Sequence, residues 1–115
     1  MRSFLPLSLL LGLCLLFSAP ASAQETHLHP NGVLEQRLMV PMRDGTRLSV
    51  YLYLPPGKGP WPGLLEQRYA SLAGDGTRAA YARIAAAGYG VAAANFRGAQ
   101  LSEGTWVGYR ALGWG

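Results

Sequence analysis

The sequence predicts an α/β fold in which an antiparallel hairpin is followed by a β-α-β crossover. Two segments of alternating apolar residues flank the Asp-Gly pair at 44–45, which is typical of a hairpin. An alanine-rich helical segment at 78–87 then lies between two apolar segments, 63–69 and 90–96. Two such strands joined by a helix favour parallel pairing. The predicted order is strand, strand, strand, helix, strand.

The first 23 residues have the three parts of a secretory signal. Arg2 is the charged start, residues 4–17 form an apolar run, and residues 21–23 are a small-residue cleavage site. The apolar run is short for a membrane span, and no later segment is long enough. We therefore expect a protein exported to the periplasm or the extracellular space, with no membrane contact after the signal, residues 1–23, is removed.

Residues 24–32 have the composition of turns and linkers and lead into the predicted folded portion at 33–115. His27 and His29 are alternate residues that could ligate a metal, but no third ligand is near in sequence. A flexible mature terminus is the favoured interpretation, and no metal or cofactor is predicted.

Charge and cysteine content exclude several classes of protein. The net charge is +4, but the ten basic residues are scattered, so the basic patch of a nucleic-acid-binding protein is missing. The one cysteine, Cys14, lies inside the signal, which leaves the mature chain without disulfides or thiol catalysis. The sequence predicts no oligomeric state.

The first two strands are expected at 33–42 and 47–54, where apolar residues alternate with polar ones. Asp44 and Gly45 suit the turn between them, and turn geometry is favoured over catalysis for Asp44. The proline- and glycine-rich segment 55–62 then separates this hairpin from the third strand.

The helix at 78–87 is expected to be capped by Asp75 or Thr77 and to end at Gly88. Its apolar stripe follows helical spacing and is formed by Tyr81, Ile84, Ala85 and Gly88. The small apolar residues that follow at 90–96 indicate a buried strand.

The chemistry of the predicted sheet favours a hydrolase over a nucleotide-binding protein. Gly74-Asp75-Gly76 lacks the third glycine of a dinucleotide site, and no phosphate-binding loop motif is present. In an α/β-hydrolase, the loop after the third strand supplies part of the oxyanion hole. That loop begins at Tyr69, whose phenol can donate a hydrogen bond to an oxyanion.

No catalytic triad is contained in this sequence. Neither Ser71 nor Ser102 lies in a glycine, any residue, serine, any residue, glycine elbow, and no histidine follows His29. In the loop 97–109, Ser102 and Glu103 are interpreted as structural, and Arg97 is expected to brace the loop by bonding carbonyls or a carboxylate.

Four segments together resemble the beginning of the CocE/NonD hydrolases, which are X-Pro dipeptidyl-peptidase-like α/β hydrolases. They are residues 39–48, the strand that ends in Tyr69, the helix that closes on Ala87-Gly88-Tyr89, and Phe96-Arg97-Gly98 followed by residues 102–105. The resemblance covers residues 34–115. Three positions differ from the family's usual pattern: Arg68 replaces proline, Asn95 replaces aspartate, and Gln100 replaces glycine.

The resemblance implies that Tyr69 is the oxyanion-hole donor of an exported serine hydrolase. Such an enzyme would act on a small-molecule ester or a peptide, including X-Pro peptides, through an acyl-enzyme. Its triad, helical cap and jelly roll would follow residue 115, so this sequence alone is expected to be inactive and the sheet incomplete. We expect residues 24–115 alone to fold poorly, because a single helix cannot cover both sheet faces. The alternative is a non-catalytic exported α/β module or a truncated inactive copy.

Overall fold

A computed structural model of the protein describes residues 25–107. The predicted signal at 1–23 and residues 108–115 at the end of the predicted domain lie outside this range. The described elements, with the helix named α1, are β1 (Glu25–Leu28), β2 (Leu34–Pro41), β3 (Arg47–Leu54), β4 (Gly63–Arg68), α1 (Asp75–Ala86) and β5 (Gly90–Asn95). No helix among the described residues has the length and apolar character needed to cross a membrane.

The five strands form one mixed sheet in the order β1-β2-β3-β5-β4. β1, β2 and β3 pair in sequence as antiparallel neighbours, and β5 lies between β3 and β4. The β3–β5 pair is antiparallel, whereas β4 and β5 are parallel. The predicted hairpin and the predicted parallel pair joined by a helix are therefore both confirmed.

The turn between β2 and β3 has the geometry expected of an Asp-Gly pair. Gly45 has a φ of +84°, a left-handed conformation that glycine adopts without steric cost. The Met42 N–H donates to the Thr46 carbonyl over 2.8 Å, and the Asp44 carboxylate accepts from the Thr46 N–H over 3.0 Å. The turn sets the register in which Pro41 lies opposite Arg47.

The interpretation of residues 24–32 as a linker is wrong over Glu25–Leu28, which form β1. This strand pairs with β2 so that Leu28 lies opposite Leu34, and Gly32 with a φ of +86° lies in the connecting turn. All four β1 residues are exposed. Main-chain pairing and the ion pair of Glu25 with Arg37, over 2.6 Å, hold this edge strand. Because none of its side chains is buried, its sequence carries no alternation of buried and exposed residues.

The helix begins at Asp75, three residues before the predicted start, and neither Asp75 nor Thr77 caps it. The N-cap is Gly74, which has no side chain to bond the first turn, and Asp75 instead lies inside that turn. A carboxylate there is favoured by the helix dipole. The predicted end is confirmed, since Ala87 is the C-cap and Gly88 follows with a φ of +106°.

The buried face of α1 differs from the predicted stripe. Tyr81 and Ala85 are buried as expected, but Ile84 is 40% exposed and Ala82 is buried in its place. Ala82 and Ala85 bring the helix axis close to the sheet, because their side chains are small. This rotates the packed face away from Ile84.

The two faces of the sheet are covered to different extents. The helix-covered face holds the larger core cluster, whose members are Val33, Tyr51, Tyr53, Leu72, Tyr81, Ala82, Ala85, Val91 and Ala93. The smaller core cluster, on the opposite face, consists of Leu48, Val50 and Ala94, with Val40, Met42 and Ala92 partly buried against them. On β4, Leu64 and Leu65 are 45% and 73% exposed.

Candidate active site

Two loops leave the sheet side by side at the carboxyl ends of β4 and β5. Arg68 and Asn95, the last residues of these strands, lie opposite each other in the parallel ladder. The β4 loop consists of residues 69–74, and the β5 loop consists of residues 96–107 as far as the structure describes it. In open α/β sheets, ligands bind outside the carboxyl ends of the strands.

Tyr69 is the first residue of the β4 loop and 53% exposed. Its ring centroid lies 6.2 Å from that of Trp106, and the centroid of the Phe96 ring lies 5.9 Å from that of Trp106. Tilted rings at these separations pack favourably. The structure thus gives Tyr69, the residue singled out from the sequence, a place at the strand ends beside two other aromatic rings.

The main chain around Tyr69 is held by side-chain amides from β5 and the β5 loop. The Asn95 Nδ2 donates to the Arg68 carbonyl over 3.1 Å and to the Ala70 carbonyl over 2.9 Å. The Gln100 Nε2 makes a longer contact of 3.4 Å with the Tyr69 carbonyl. Three consecutive carbonyls therefore face donors from another part of the chain.

Ser102 is a structural residue of the β5 loop, as interpreted from the sequence. It is 7% exposed, and its Oγ donates to the Asn95 carbonyl and accepts from the Ser49 N–H, each over 2.9 Å. The hydroxyl joins β3 to the end of β5. Because its hydrogen is donated to a main-chain carbonyl, the hydroxyl is not set up to be deprotonated by a neighbouring base.

Glu103 is likewise held by structural bonds. Its carboxylate accepts from the Arg47 side chain, with an Nη2–Oε2 distance of 2.8 Å, and from the Arg47 N–H over 2.9 Å. The side-chain bond from Arg47 lowers the pKa of Glu103 below its usual range. A carboxyl with a lowered pKa is ionised at neutral pH and is poorly suited to be a general acid.

Arg97 braces the start of the β5 loop through a carboxylate, one of the two possibilities expected from the sequence. Its Nη1 lies 2.7 Å from Asp44 Oδ2, and its Nη2 lies 3.1 Å from Asp44 Oδ1. Arg97 donates to the Asp44 carboxylate and lowers the pKa of Asp44 to about 2. Asp44 therefore serves the hairpin turn and also ties that turn to the β5 loop.

Gly98 allows the β5 loop to fold back on itself. It has a φ of +70°, and a Cβ built there would lie 2.1 Å from the main-chain nitrogen of Trp106. No other residue fits this approach. The glycine thereby sets how near the Trp106 ring comes to Tyr69.

A buried ionic cluster on the helix side of the sheet was not singled out by the sequence analysis. Glu35 is 1% exposed and accepts from Arg78, with an Nη2–Oε2 distance of 2.6 Å, and its Oε1 lies 3.0 Å from His29 Nε2. Burial raises the pKa of Glu35, but the bonds to Arg78 and His29 lower it by more. This cluster attaches the first turn of α1 to β2.

The same cluster accounts for His29, which the sequence analysis weighed as a metal ligand. Its ring Nε2 contacts Glu35, and the His27 ring packs edge-on against it at 4.8 Å. Within residues 25–107, no three ligand-type side chains are grouped closely enough to hold a metal ion. The contact between His29 and Glu35 could not be predicted from the sequence, because a spacing of six residues matches no local pattern.

Comparisons with known proteins agree with the observed sheet. A family model described as X-Pro dipeptidyl-peptidase (S15 family) matches residues 44–111, which is more than half of the 115 residues. A search of curated proteins finds no match. Matches among solved structures include an aminopeptidase from the marine sediment archaeon Thaumarchaeota archaeon, with 21% identity and a TM-score of 0.59.

An α-amino acid ester hydrolase labelled with selenomethionine is also similar, with 22% identity and a TM-score of 0.57. The two matches cover 80% and 78% of this chain, respectively. The chain spans only 17% of the length of each of these proteins. The described residues thus form the N-terminal portion of an α/β-hydrolase-like fold, as predicted.

Proposed function

Because the chain belongs to the X-Pro dipeptidyl-peptidase (S15) family, we propose that it is the N-terminal portion of an exported serine hydrolase. The complete enzyme cleaves an ester or amide bond in a small-molecule ester or a peptide, including X-Pro peptides. The proposal includes export directed by the signal at residues 1–23 and a hydrolase domain that begins at residue 33, with β1 preceding it. No cofactor is part of this reaction.

The placement of Tyr69 is the observation that carries the proposal. It is the first residue after β4, about half exposed, and its main chain is held by Asn95 and Gln100. An oxyanion donor must be fixed in place before the reaction, since it then stabilises the developing charge without reorganising. A phenol on a held main chain meets that requirement.

The proposed reaction proceeds through an acyl-enzyme. A serine in sequence after residue 115 attacks the carbonyl carbon while a histidine takes its proton, and the carbonyl oxygen becomes negative. The Tyr69 hydroxyl donates a hydrogen bond to that oxygen. The leaving group departs with the proton from the histidine, and water then attacks the acyl-enzyme by the same route. Tyr69 is the one residue of this chain that we assign to the catalytic machinery.

The test uses the complete gene product and a fluorophosphonate, which labels activated serines. We expect labelling of a serine that follows residue 115, together with hydrolysis of a nitrophenyl ester or an X-Pro anilide. Absence of both labelling and hydrolysis in a folded protein would contradict the proposal. An aminoacyl ester belongs in the same panel, because one similar structure is an amino acid ester hydrolase.

The gene sequence beyond codon 115 distinguishes the enzyme from the non-catalytic alternative. A glycine, any residue, serine, any residue, glycine motif following a predicted strand supports the enzyme. A stop codon directly after Gly115 supports the non-catalytic module or truncated copy, since residues 1–115 contain no such motif.

A further inference from the structure

Asn95 contacts the residues on both sides of Tyr69. It is the last residue of β5 and 2% exposed, and its Nδ2 reaches across to the adjacent β4 chain. The two acceptors are the Arg68 carbonyl at 3.1 Å and the Ala70 carbonyl at 2.9 Å. One amide nitrogen therefore bonds the carbonyls of the residues on either side of Tyr69.

This bridge continues the sheet beyond the last main-chain bond between β4 and β5. The Phe96 N–H donates to the Arg68 carbonyl over 3.1 Å. The chain bends at Tyr69 and Ala70 as it leaves β4, and the Ala70 carbonyl still lies within reach of the Asn95 side chain. The Asn95 amide supplies the donor that the main chain of β5 does not provide at Ala70. The main chain on both sides of Tyr69 is thereby tied to the end of β5.

Asn95 is itself held from its other side. The main-chain carbonyl of Asn95 accepts from the buried Ser102 Oγ over 2.9 Å. The Ser102 Oγ in turn accepts from the Ser49 N–H on β3, also over 2.9 Å. A chain of hydrogen bonds thus runs from β3 through Ser102 and Asn95 to the β4 loop. Networks of this kind hold a side chain in one geometry when every member is satisfied.

We propose that Asn95 is a positioning residue that fixes the main chain of Tyr69 and with it the direction of the phenol. This inference rests on the proposed function of Tyr69 as the oxyanion donor. The neutral amide of Asn95 supplies both of these hydrogen bonds from one nitrogen, and an aliphatic side chain in its place supplies neither. A displacement of about 1 Å can reduce a rate about 10²-fold, so loosening this bridge affects turnover.

The experiment compares Asn95→Ala and Asn95→Leu in the complete gene product, with hydrolysis of a nitrophenyl ester as the assay. We expect kcat to fall by about 10- to 100-fold in both variants, because the oxyanion donor is misplaced. We expect KM to change much less. Asn95→Leu removes the bridge while nearly keeping the side-chain volume, and Asn95→Ala removes it without risk of a steric clash in this buried place, so one variant keeps the test decisive if the other does not fold.

A double-mutant cycle with Tyr69→Phe separates positioning from general damage. If Asn95 acts through the Tyr69 hydroxyl, Asn95→Ala lowers kcat no further once that hydroxyl is gone. A full additional fall in the Tyr69→Phe background would overturn the proposal. Unchanged kcat in Asn95→Ala alone would also overturn it.

Asn31 provides the matched control. Its Nδ2 donates to the Ala82 carbonyl over 3.1 Å, and its Oδ1 accepts from the Val33 N–H over 3.2 Å. Asn31→Ala therefore loses an amide-to-carbonyl bond of the same kind, in the β1–β2 turn. We expect the kcat of this variant to be unchanged, and a fall as large as that of Asn95→Ala would count against a specific role for Asn95.

Limited trypsin digestion tests, independently of activity, whether Asn95 holds the main chain around Tyr69. The bond after Arg68 is a trypsin site directly before Tyr69, and the bond after Arg83 in α1 reports opening of the helix. We expect Asn95→Ala to accelerate cleavage after Arg68 relative to Arg83. An unchanged ratio would overturn the positioning role. If the wild-type protein is inactive but Asn95→Ala still accelerates cleavage after Arg68 relative to Arg83, the proposed function is refuted while the structural role of Asn95 is supported.

Discussion

The β4 loop and the β5 loop both begin at the carboxyl ends of their strands, but they are held in place in different ways. The β5 loop secures itself with its own polar side chains, through Arg97 to Asp44, Glu103 to Arg47, and buried Ser102 to main-chain groups. The main chain of the β4 loop at Tyr69 is held by amides from outside that loop. The β5 loop, which contains Ser102 and Glu103, is thus structural. The β4 loop, which it helps to hold in place, contains the candidate oxyanion donor Tyr69.

Tyr69→Phe in the complete gene product is expected to have the largest effect and directly tests whether the β4 loop carries the oxyanion donor. We expect kcat on a nitrophenyl ester to fall by about 10²- to 10³-fold, as for the loss of other oxyanion donors. The thermal unfolding temperature is expected to change little, because the side chain is about half exposed. Unchanged turnover would remove Tyr69 from the mechanism.

Tyr89→Phe is the matched control for that substitution. Tyr89 is 40% exposed and lies directly before β5, at the amino-terminal end of that strand, whereas the two loops lie at the carboxyl ends of β4 and β5. It loses the same hydroxyl in a similarly exposed place. We expect unchanged kcat, measured under the same conditions.

The next largest effect is expected for Ser102→Ala, on stability. The change removes the hydroxyl that bonds the Ser49 N–H and the Asn95 carbonyl in a buried site. Leaving buried groups without partners costs about 1–3 kcal/mol, measurable by urea unfolding. Fluorophosphonate labelling of the folded variant is expected to persist, and its complete loss would indicate that Ser102 is the nucleophile.

Ser71→Ala is the control in the β4 loop. The Ser71 Oγ accepts from the Ala73 N–H over 3.1 Å, and Ser71 is exposed. Because water can replace this bond, we expect the free energy of unfolding to change by less than about 0.5 kcal/mol. A cost equal to that of Ser102→Ala would remove the distinction between the two loops.

A smaller and opposite effect on stability is expected for Gln100→Gly. Gln100 has a φ of +51°, a conformation that costs a non-glycine residue about 1–2 kcal/mol. Glycine relieves that strain but has more freedom in the unfolded chain, so the net gain is up to about 1 kcal/mol. The variant also loses the contact to the Tyr69 carbonyl. We expect a modest fall in kcat together with a higher unfolding temperature, and a lower temperature would contradict this account.

The smallest effect on stability concerns the ion pair of Arg97 with Asp44. NMR titration is expected to give Asp44 a pKa of about 2, because Arg97 donates to its carboxylate. Since the pKa is lowered by folding, the stabilisation is complete above the ordinary value of 3.8 and is lost as pH falls through about 2. Arg97→Gln is expected to raise the pKa toward its ordinary value. An unchanged titration would show that the pair does not persist in solution.

The sequence was sufficient for those parts of the fold that have local signals. Asp44 and Gly45 identified the hairpin because that pair favours positive φ, and Gly88 marked the end of α1. The apolar run around Val91 to Ala94 indicated the buried strand, and its position after a helix indicated parallel pairing. Tyr69 was singled out because the loop after the third strand has a defined role in the hydrolase arrangement.

Features that depend on contacts distant in sequence were not predicted. The Asn95 bridge joins residues separated by 25 to 27 positions and depends on the register of β4 and β5. The Glu35–Arg78 pair spans 43 positions. The strand Glu25–Leu28 was missed because all of its side chains are exposed. Such features need the folded sheet before their residues meet.

The insertion of β5 between β3 and β4 sets the order of events during synthesis. β3 and β4 are consecutive along the chain but are not neighbours in the sheet, and β4 pairs only with β5 among the described strands. Gly63–Arg68 therefore has no partner until Gly90–Asn95 has been made, and closing that separation is slow compared with forming the hairpin. The main-chain N–H and carbonyl groups of β4 have no strand to pair with during that interval. The setting of Tyr69 is consequently assembled after the hairpin, once Asn95 arrives.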